Sequence, residues 1–171
     1  TLWPPLFPLL ISSFSIFNIE PFDAARYINA IIFGLILFGG GMLAFKYWRS
    51  KTLTLILSFL FLLSIPLIEV SKFALTEPLF ILFIILFIFY MEKFSRNQKL
   101  HFLVLASLLT SLACLTKYAG LTLVIIGVLA ILILKNVHIF KRFKYITIFS
   151  TISCFPIIIW IPRNYFLSST F

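Results

Sequence analysis

The chain has 171 residues, of which 62% are hydrophobic and 11% are charged. Soluble domains have about 45–50% apolar and about 25% charged residues. A soluble domain of this length cannot bury so much apolar surface, because a large share of its atoms must face water. The composition therefore excludes a soluble enzyme, a nucleic-acid-binding protein and a disordered chain, and it predicts a protein that spans a membrane several times.

The net charge of +9 comes from 14 Lys and Arg residues against 5 Asp and Glu residues. These charges are separated by long apolar runs, so they form no contiguous patch for nucleic acid. Cys114 and Cys154 lie inside apolar runs, which predicts buried thiols without a disulfide. His101 and His138 have no partners at metal-ligand spacing. The sequence therefore predicts no metal site, and a divalent cation as cofactor stays open.

Long uncharged windows divide the chain into candidate spans, each close to the length of about 17–20 residues that a helix needs to cross a bilayer. The windows cover residues 27–45, 52–68, 78–91, 100–116, 118–134 and 145–162. The third window is short by itself and reaches spanning length when it begins at Thr76 and ends at Lys93. Thr76 is a good N-cap, and Pro78 then falls in the first turn. The predicted fold is all-α, a polytopic membrane helix bundle of about six transmembrane helices over residues 27–162, forming one transmembrane domain.

The first apolar window, Thr1–Ile19, differs from the others. Pro4, Pro5 and Pro8 fall in its first turns, and Trp3 suits a membrane interface. We expect residues 1–26 to form a proline-rich juxtamembrane segment on the external side. The alternative is a further span, which would place Thr1 in the cytoplasm.

The loops predict the orientation. Loops 46–51, 92–99 and 135–144 alternate onto one side of the membrane and carry ten basic residues with Glu92, a sum of +9. The charges on the opposite side sum to zero. By the positive-inside rule the basic loops are cytoplasmic. We therefore expect a multi-pass protein of the cell (inner or plasma) membrane.

Acidic and basic residues collect near helix ends on the external side, where unlike charges at one level indicate a site. Glu69 and Glu77 flank a turn, and Pro66 is expected to bend the preceding helix and widen a cavity there. Glu77 could equally be a solvated helix-cap carboxylate. Lys117 beside Tyr118 suits a phosphate, or simply anchors a tight turn.

Two further polar clusters lie on the external side. Arg163 lies in Pro-Arg-Asn-Tyr and offers a planar fork for a phosphate or carboxylate, although an Arg beside a Tyr is also an ordinary interfacial anchor. Asp23 and Arg26 have the i, i+3 spacing of a pair that begins a helix. No Ser/His/Asp set and no Gly-rich phosphate loop occurs, and Gly39–Gly41 falls within a span, where it is expected to permit close helix packing.

Five motifs occur in a characteristic order along the chain. They are Trp3-Pro-Pro-Leu-Phe-Pro-Leu9, Ala24-Ala-Arg-Tyr-Ile-Asn-Ala30, Thr76-Glu-Pro-Leu-Phe80, Leu115-Thr-Lys-Tyr-Ala-Gly-Leu121 and Arg163-Asn-Tyr165. The set resembles the membrane region of GT-C superfamily glycosyltransferases of the protein mannosyltransferase and lipid A aminoarabinose transferase type. The resemblance extends over essentially the whole chain.

The resemblance implies a glycosyltransferase that moves a sugar from a polyprenyl-phosphate donor to an acceptor at the external face of the membrane. It implies that Lys117, Tyr118 and Arg163 bind the lipid phosphate, and that Pro4, Pro5, Arg26, Glu69 and Glu77 line the cavity. In such enzymes the general base is an acidic residue in the first external loop, before the proline stretch. We therefore expect the 171 residues to be an interior fragment, with the base upstream of Thr1.

Two other classes of protein remain open on the sequence. A transporter or flippase segment would use Glu69, Glu77 and Lys117 along a solute or proton path. A non-catalytic membrane scaffold would need none of them. Transport predicts charges near the bilayer midplane at broken helices, whereas the acids and bases of this chain map to helix ends. The donor lipid and the bilayer are thus the expected partners, and the acceptor is open.

Overall fold

The computed structural model describes residues 4–73, 75–134 and 137–168, apart from the side chains of Ser15 and residues 166–168. Within these ranges the chain is helical and has no strand, which confirms the predicted all-α class. The elements are α1 (Leu6–Ser13), a 3₁₀ turn (Phe14–Phe17), α2 (Pro21–Trp48), α3 (Lys51–Leu62), α4 (Ile65–Lys72), α5 (Glu77–Asn97), α6 (Leu100–Thr116), a 3₁₀ turn (Tyr118–Gly120), α7 (Leu121–Leu132) and α8 (Ile139–Ser168).

Three helices in the described part of the chain are long and apolar enough to cross a membrane, namely α2, α5 and α8. The pair α3 and α4 qualifies as a fourth span with a bend of 51° at its break. In the three long helices only 17–33% of the apolar window is buried inside the protein. Large side chains such as Ile31, Phe38 and Phe155 are exposed instead, as expected of a surface covered by lipid. The chain is therefore a polytopic helical membrane protein.

The remaining two apolar helices, α6 with 17 residues and α7 with 12, are shorter than the other candidates. The six spans predicted from the charge pattern consequently stay a prediction. So does the external juxtamembrane segment, of which Trp3 lies outside the described residues. Its last residues, from Pro21, already belong to α2.

Helix ends follow the local chemistry of the sequence. Arg49 and Gln98 adopt left-handed backbone conformations, with φ of 49° and 51°, directly after the ends of α2 and α5. Ser50 then begins α3, since its Oγ accepts a hydrogen bond from the Leu53 amide at 3.4 Å. At the start of α5 the Thr76 carbonyl accepts from the Phe80 amide at 3.1 Å. Thr76 therefore precedes the first turn and Pro78 lies in it, as predicted.

The chain divides into two compact units, one formed by Phe7–Ile85 and the other mainly by the residues from Leu86 onward. In the first unit, α2 buries Ala24, Ala25, Ile28, Ile32 and Ile36, which recur at helical spacing. A Cβ atom on Gly41 would lie 2.9 Å from Ser58 Oγ of α3, and one on Gly39 would lie 3.1 Å from Ile85. The predicted role of Gly39–Gly41 in close helix packing is confirmed.

The second unit packs α6, α7 and α8 through small and aromatic residues. Ser107, Thr110 and Ser153 are fully buried, and Ser153 Oγ donates a hydrogen bond to the Ser107 carbonyl at 3.3 Å. Phe149 is also fully buried, and its ring fills the space that a side chain at Gly127 would need. Small residues at these positions let the helices approach closely.

Several basic residues in the loops predicted to be cytoplasmic have local structural partners. Arg142 donates hydrogen bonds to the Leu132 carbonyl at 2.7 Å and to the Val137 carbonyl at 2.9 Å, at the end of α7. Arg96 pairs with Glu92 at 2.7 Å. The Lys93 ammonium lies 4.2 Å from the centroid of the Phe89 ring. These contacts explain part of the basic excess without a ligand.

Gly127→Ala is expected to lower the free energy of unfolding by about 1–3 kcal/mol, because overpacking a filled core has that cost. The new Cβ would lie 2.2 Å from Phe149 Cζ, and the buried ring has no space to move into. Thermal unfolding in detergent measures the change.

Gly34→Ala is the matched control, since no atom lies within 4 Å of a Cβ at that helical glycine. It should be neutral or slightly stabilising, because Ala is the better helix former. Adding Phe149→Leu should recover part of the stability that Gly127→Ala loses. Equal stability of the two alanine variants would contradict the packing described for α7 and α8.

Candidate functional site

The first turns of α2 carry the charged pair predicted from the sequence. Pro21 occupies the first turn and Asp23 adds an acid there, both favourable at a helix start. Asp23 Oδ1 lies 3.9 Å from Arg26 Nη1, and about half of each side chain is exposed. The Arg26 guanidinium also stacks 4.8 Å from the centroid of the Phe22 ring. The predicted pair that begins a helix is confirmed, and it leaves Arg26 able to donate further hydrogen bonds.

One turn further along α2, Asn29 is fully buried and reaches the turn between α4 and α5. Its Nδ2 donates to the Phe73 carbonyl at 2.8 Å and to the Leu75 carbonyl at 3.2 Å. Arg26 Nε donates to the Lys72 carbonyl at 3.4 Å. The side chains of α2 thus supply donors to three carbonyls at the end of α4.

Asn29 was not among the site residues predicted from the sequence, although it belongs to the Ala24–Ala30 motif. A usable signal was present, because an Asn three residues after Arg26 lies on the same face of a helix in an otherwise apolar run. The search for charged residues did not select Asn29, because its side chain is neutral.

A cavity of about 330 Å³ lies beside the bend between α3 and α4. Its lining residues are Phe61, Ser64, Pro66, Leu67, Val70, Glu77 and Ile81. The break has a sequence cause, since Ser64 precedes α4 and Pro66, which has no backbone N–H, lies in its first turn. The expected link between Pro66 and a cavity is confirmed. Of the five residues predicted to line a cavity, Glu77 lines this one, whereas Pro4, Pro5, Arg26 and Glu69 do not.

The other four residues predicted to line the cavity lie elsewhere in the structure. Glu69 is exposed on α4, and Arg26 contacts the turn that leads to α5. Pro4 is buried and Pro5 is half-buried, just before α1. Arg26 therefore contacts the end of α4, and Glu77 begins α5.

Lys117 and Tyr118 lie at a tight turn in the second unit. Lys117 ends α6 in extended conformation, with its amide bonded to the Ala113 carbonyl at 3.0 Å. Its own carbonyl accepts from the Gly120 amide at 2.8 Å, which closes the 3₁₀ turn. A Cβ on Gly120 would lie 2.5 Å from the Cys114 nitrogen, so only glycine permits this turn. The turn holds the Lys117 cation at the carboxyl end of α6, where the helix dipole favours it.

Arg163 lies near the end of α8 together with two buried donors. Its guanidinium stacks 5.0 Å from the centroid of the Trp160 ring. Trp160 Nε1 and Asn164 Nδ2 are buried and have no acceptor among the described residues. Residues 160, 163 and 164 share one face of a helix by their i, i+3, i+4 spacing. This face of α8 therefore carries two buried donors that no described acceptor of the protein satisfies.

The helices α6 and α8 contact each other in the second unit, and each has a cation at or near its carboxyl end. The two helices run in the same direction, because α7 pairs antiparallel with both. Gly120 approaches Ala113 of α6, while Gly127 approaches Phe149 and the Leu132 carbonyl accepts a hydrogen bond from Arg142 of α8. Lys117 is ten residues beyond Ser107 (117 − 107) and Arg163 is ten beyond Ser153 (163 − 153). Lys117 follows the last residue of α6 in extended conformation, and Pro156 and Pro162 lie inside α8 between Ser153 and Arg163.

Within the described residues no group of three or more His, Cys, Asp or Glu side chains could hold a metal ion. In the first unit the polar side chains described here are Arg26, Asn29 and Glu77, the last beside an apolar cavity. In the second unit they are Lys117, Trp160, Arg163 and Asn164. The class of protein is thus a polytopic membrane protein with polar side chains at its helix ends.

The sequence model of one family, described as dolichyl-phosphate-mannose-protein mannosyltransferase, matches residues 4–168. The chain belongs to this family, and the resemblance seen in the ordered motifs is confirmed. It is therefore a membrane protein of glycosyltransferase type. No curated protein and no solved structure matches the chain.

The cavity beside Glu77 can be tested by thiol labelling. In a chain with Cys114→Ala and Cys154→Ala, Ser64→Cys is expected to react with a small membrane-permeant maleimide. Ile81→Trp should slow that reaction about tenfold or more, because an indole fills the cavity that Ser64 lines. Ile88→Trp, on an exposed position of the same helix, is the control. Equal labelling rates in the two Trp variants would contradict the cavity.

Proposed function

We propose that the chain is the membrane part of a glycosyltransferase that moves a sugar from a polyprenyl-phosphate donor to an acceptor at the non-cytoplasmic face of the membrane. The family match over residues 4–168 carries this proposal. Under it the enzyme lies in the cell (inner or plasma) membrane, and loops 46–51, 92–99 and 135–144 are cytoplasmic. The sugar and the acceptor are not assigned.

The phosphate of the donor is assigned to Lys117, Tyr118 and Arg163. The two cations lie at or near the carboxyl ends of α6 and α8, helices that contact each other in one compact unit. This placement supports the assignment, because a phosphate needs donors from several directions. Arg163 offers a planar pair of N–H donors, and Lys117 offers a compact charge. Trp160 Nε1 and Asn164 Nδ2 add two donors on the face of Arg163. A lipid phosphate is an acceptor that such a cluster fits.

The reaction proposed is an inverting transfer. A carboxylate takes the proton from the acceptor hydroxyl, whose oxygen forms a bond to the anomeric carbon as the bond from that carbon to the phosphate oxygen breaks. The polyprenyl phosphate leaves with the electron pair, and Lys117 and Arg163 stabilise its growing charge. Glu77 is proposed to accept hydrogen bonds from sugar hydroxyls at the mouth of its cavity. The general base is assigned to the acidic external loop that the resemblance implies, and to none of the residues described here.

One observation favours transport as a second candidate. The break between α3 and α4 makes a discontinuous span, a feature of many transporter binding sites. However, the residues at the break itself, Leu63 and Ser64, are not ionisable, and Glu69 lies nearer the end of α4. A proteoliposome assay in which labelled donor lipid changes leaflet without transfer of its sugar would favour the flippase.

Lys117→Ala and Arg163→Ala in the full-length enzyme are each expected to raise the KM for the lipid-linked donor about tenfold to a hundredfold. The reason is that a hydrogen bond to a charged group contributes about 1.5–3 kcal/mol. A transfer assay with the acceptor at saturation and the donor varied measures this change.

Two matched controls replace cations in the loops predicted to be cytoplasmic. Lys51→Ala removes an exposed lysine, and Arg96→Ala removes an exposed arginine that pairs with Glu92. Both should keep the donor KM within about twofold, since exposed ion pairs contribute little. An unchanged donor KM in both Lys117→Ala and Arg163→Ala would overturn the assignment of the phosphate site.

A further inference from the structure

We propose that Asn29, assisted by Arg26, is a positioning residue that anchors the turn between α4 and α5 to α2 and so fixes the place of Glu77. The effect on catalysis rests on the proposed function, in which Glu77 contacts the donor sugar. The anchor itself rests only on contacts within the first compact unit.

The carbonyls at the end of α4 need donors because the helix stops at Lys72. Phe73 leaves the helix in extended conformation, with φ of −91° and ψ of 160°, so carbonyls of the last turn lose the amide partner that a longer helix would give them. The Leu75 amide donates to the Phe73 carbonyl at 2.8 Å, and side chains of α2 supply further donors. Arg26 supplies a donor to the Lys72 carbonyl, and Asn29 supplies donors to those of Phe73 and Leu75.

Asn29 is suited to this task by its amide nitrogen. The NH₂ group has two donors, and the structure uses one on each carbonyl. A reversed amide would place Oδ1 against two carbonyl oxygens, so the contacts themselves define the orientation. In the observed orientation Oδ1 is buried and has no donor among the described residues. Burying an unsatisfied acceptor is unfavourable, and the two bonds made by Nδ2 offset that cost.

The anchored turn leads directly to the cavity. Leu75, bonded by Asn29, is two residues before Glu77, and the Thr76 carbonyl begins α5. A backbone held at Phe73 and Leu75 leaves Glu77 little freedom to shift along the cavity wall that it lines. Asn29 therefore acts on the site through the turn and does not need to touch the donor.

The first experiment measures the turn without reference to activity. In full-length protein with Cys114→Ala and Cys154→Ala, Thr76→Cys is labelled with maleimide in proteoliposomes. Asn29→Leu, which keeps the bulk and removes both donors, should raise the labelling rate about tenfold. Arg26→Met removes one contact to the turn, that to the Lys72 carbonyl, along with the Arg26 contacts to Asp23 and Phe22 on its own helix, and should raise the labelling rate less. Thr110→Val is the matched control, because it removes a buried hydroxyl that donates to the Ala106 carbonyl of its own helix, in the other compact unit.

The second experiment is a double-mutant cycle on kcat/KM for the donor. Asn29→Leu alone should lower kcat/KM about tenfold or more. In a Glu77→Gln background Asn29→Leu should lower kcat/KM by less than about twofold, because the carboxylate that Asn29 positions is already lost. Thr110→Val should show no such dependence on Glu77.

Each outcome decides one part of the proposal. If Asn29→Leu fails to fold, Arg26→Met supplies the labelling test and the cycle. An unchanged labelling rate in folded variants overturns the anchor. Faster labelling with an equal loss of kcat/KM in the Glu77→Gln background overturns the action through Glu77. Faster labelling with wild-type activity of Glu77→Gln alone removes Glu77 from the proposed function and leaves the anchor standing.

Discussion

The carbonyl groups at helix ends set the main constraint on this structure, because the last turn of a helix leaves acceptors without an intrahelical partner. The chain meets the requirement in three ways. Arg142 reaches back to the end of α7, Asn29 and Arg26 reach across to carbonyls at and just after the end of α4, and the Lys117 amide bonds the Ala113 carbonyl at the end of α6. In each case a donor satisfies carbonyls at the boundary between two successive helices.

This constraint explains why polar residues of such a hydrophobic chain gather at the ends of helices. Satisfying a helix end needs donors, and a cation or amide placed there lies at the boundary where a lipid phosphate or sugar would also lie. Under the proposed function, structural and binding roles thus draw on the same kinds of residue. Arg142 shows the structural use, with both of its described bonds made to backbone carbonyls. Arg163, which the proposed function assigns to the lipid phosphate, stacks on Trp160 next to two donors without a described acceptor.

Much of the helix pattern could be predicted from charge and proline positions. The window 100–116 coincides with α6, and Thr76 with Pro78 correctly predicts the start of α5. The count of charges failed where charges lie inside helices. The charge count placed the start of the first predicted span at Tyr27. The helix α2 begins at Pro21 instead, because a proline and an acid both favour a first turn.

The site was predicted less completely than the helices, for a physical reason. Single residues such as Lys117 and Arg163 are visible in the sequence because charges are rare in it. Contacts made by neutral residues over long separations are not, and Asn29 bonds carbonyls 44 and 46 positions away. The break between α3 and α4 likewise depends on Ser64, which precedes α4, together with Pro66 in the first turn of α4. The charge pattern does not contain this information, so it predicted one continuous span over residues 52–68.

The packing of α6 against α8 depends on residues that carry no charge. Ser107 and Thr110 turn their hydroxyls to carbonyls of their own helix, at 2.7 and 2.9 Å, so α6 presents a small surface to its neighbour. Small surfaces let α8 approach closely enough for Ser153 to donate to the Ser107 carbonyl. A bulky residue at position 107 would push the two helices apart at this contact. Under the proposed function, in which Lys117 and Arg163 bind the lipid phosphate, the fit of that site therefore depends on the packing of two serines, each ten residues before one of the cations.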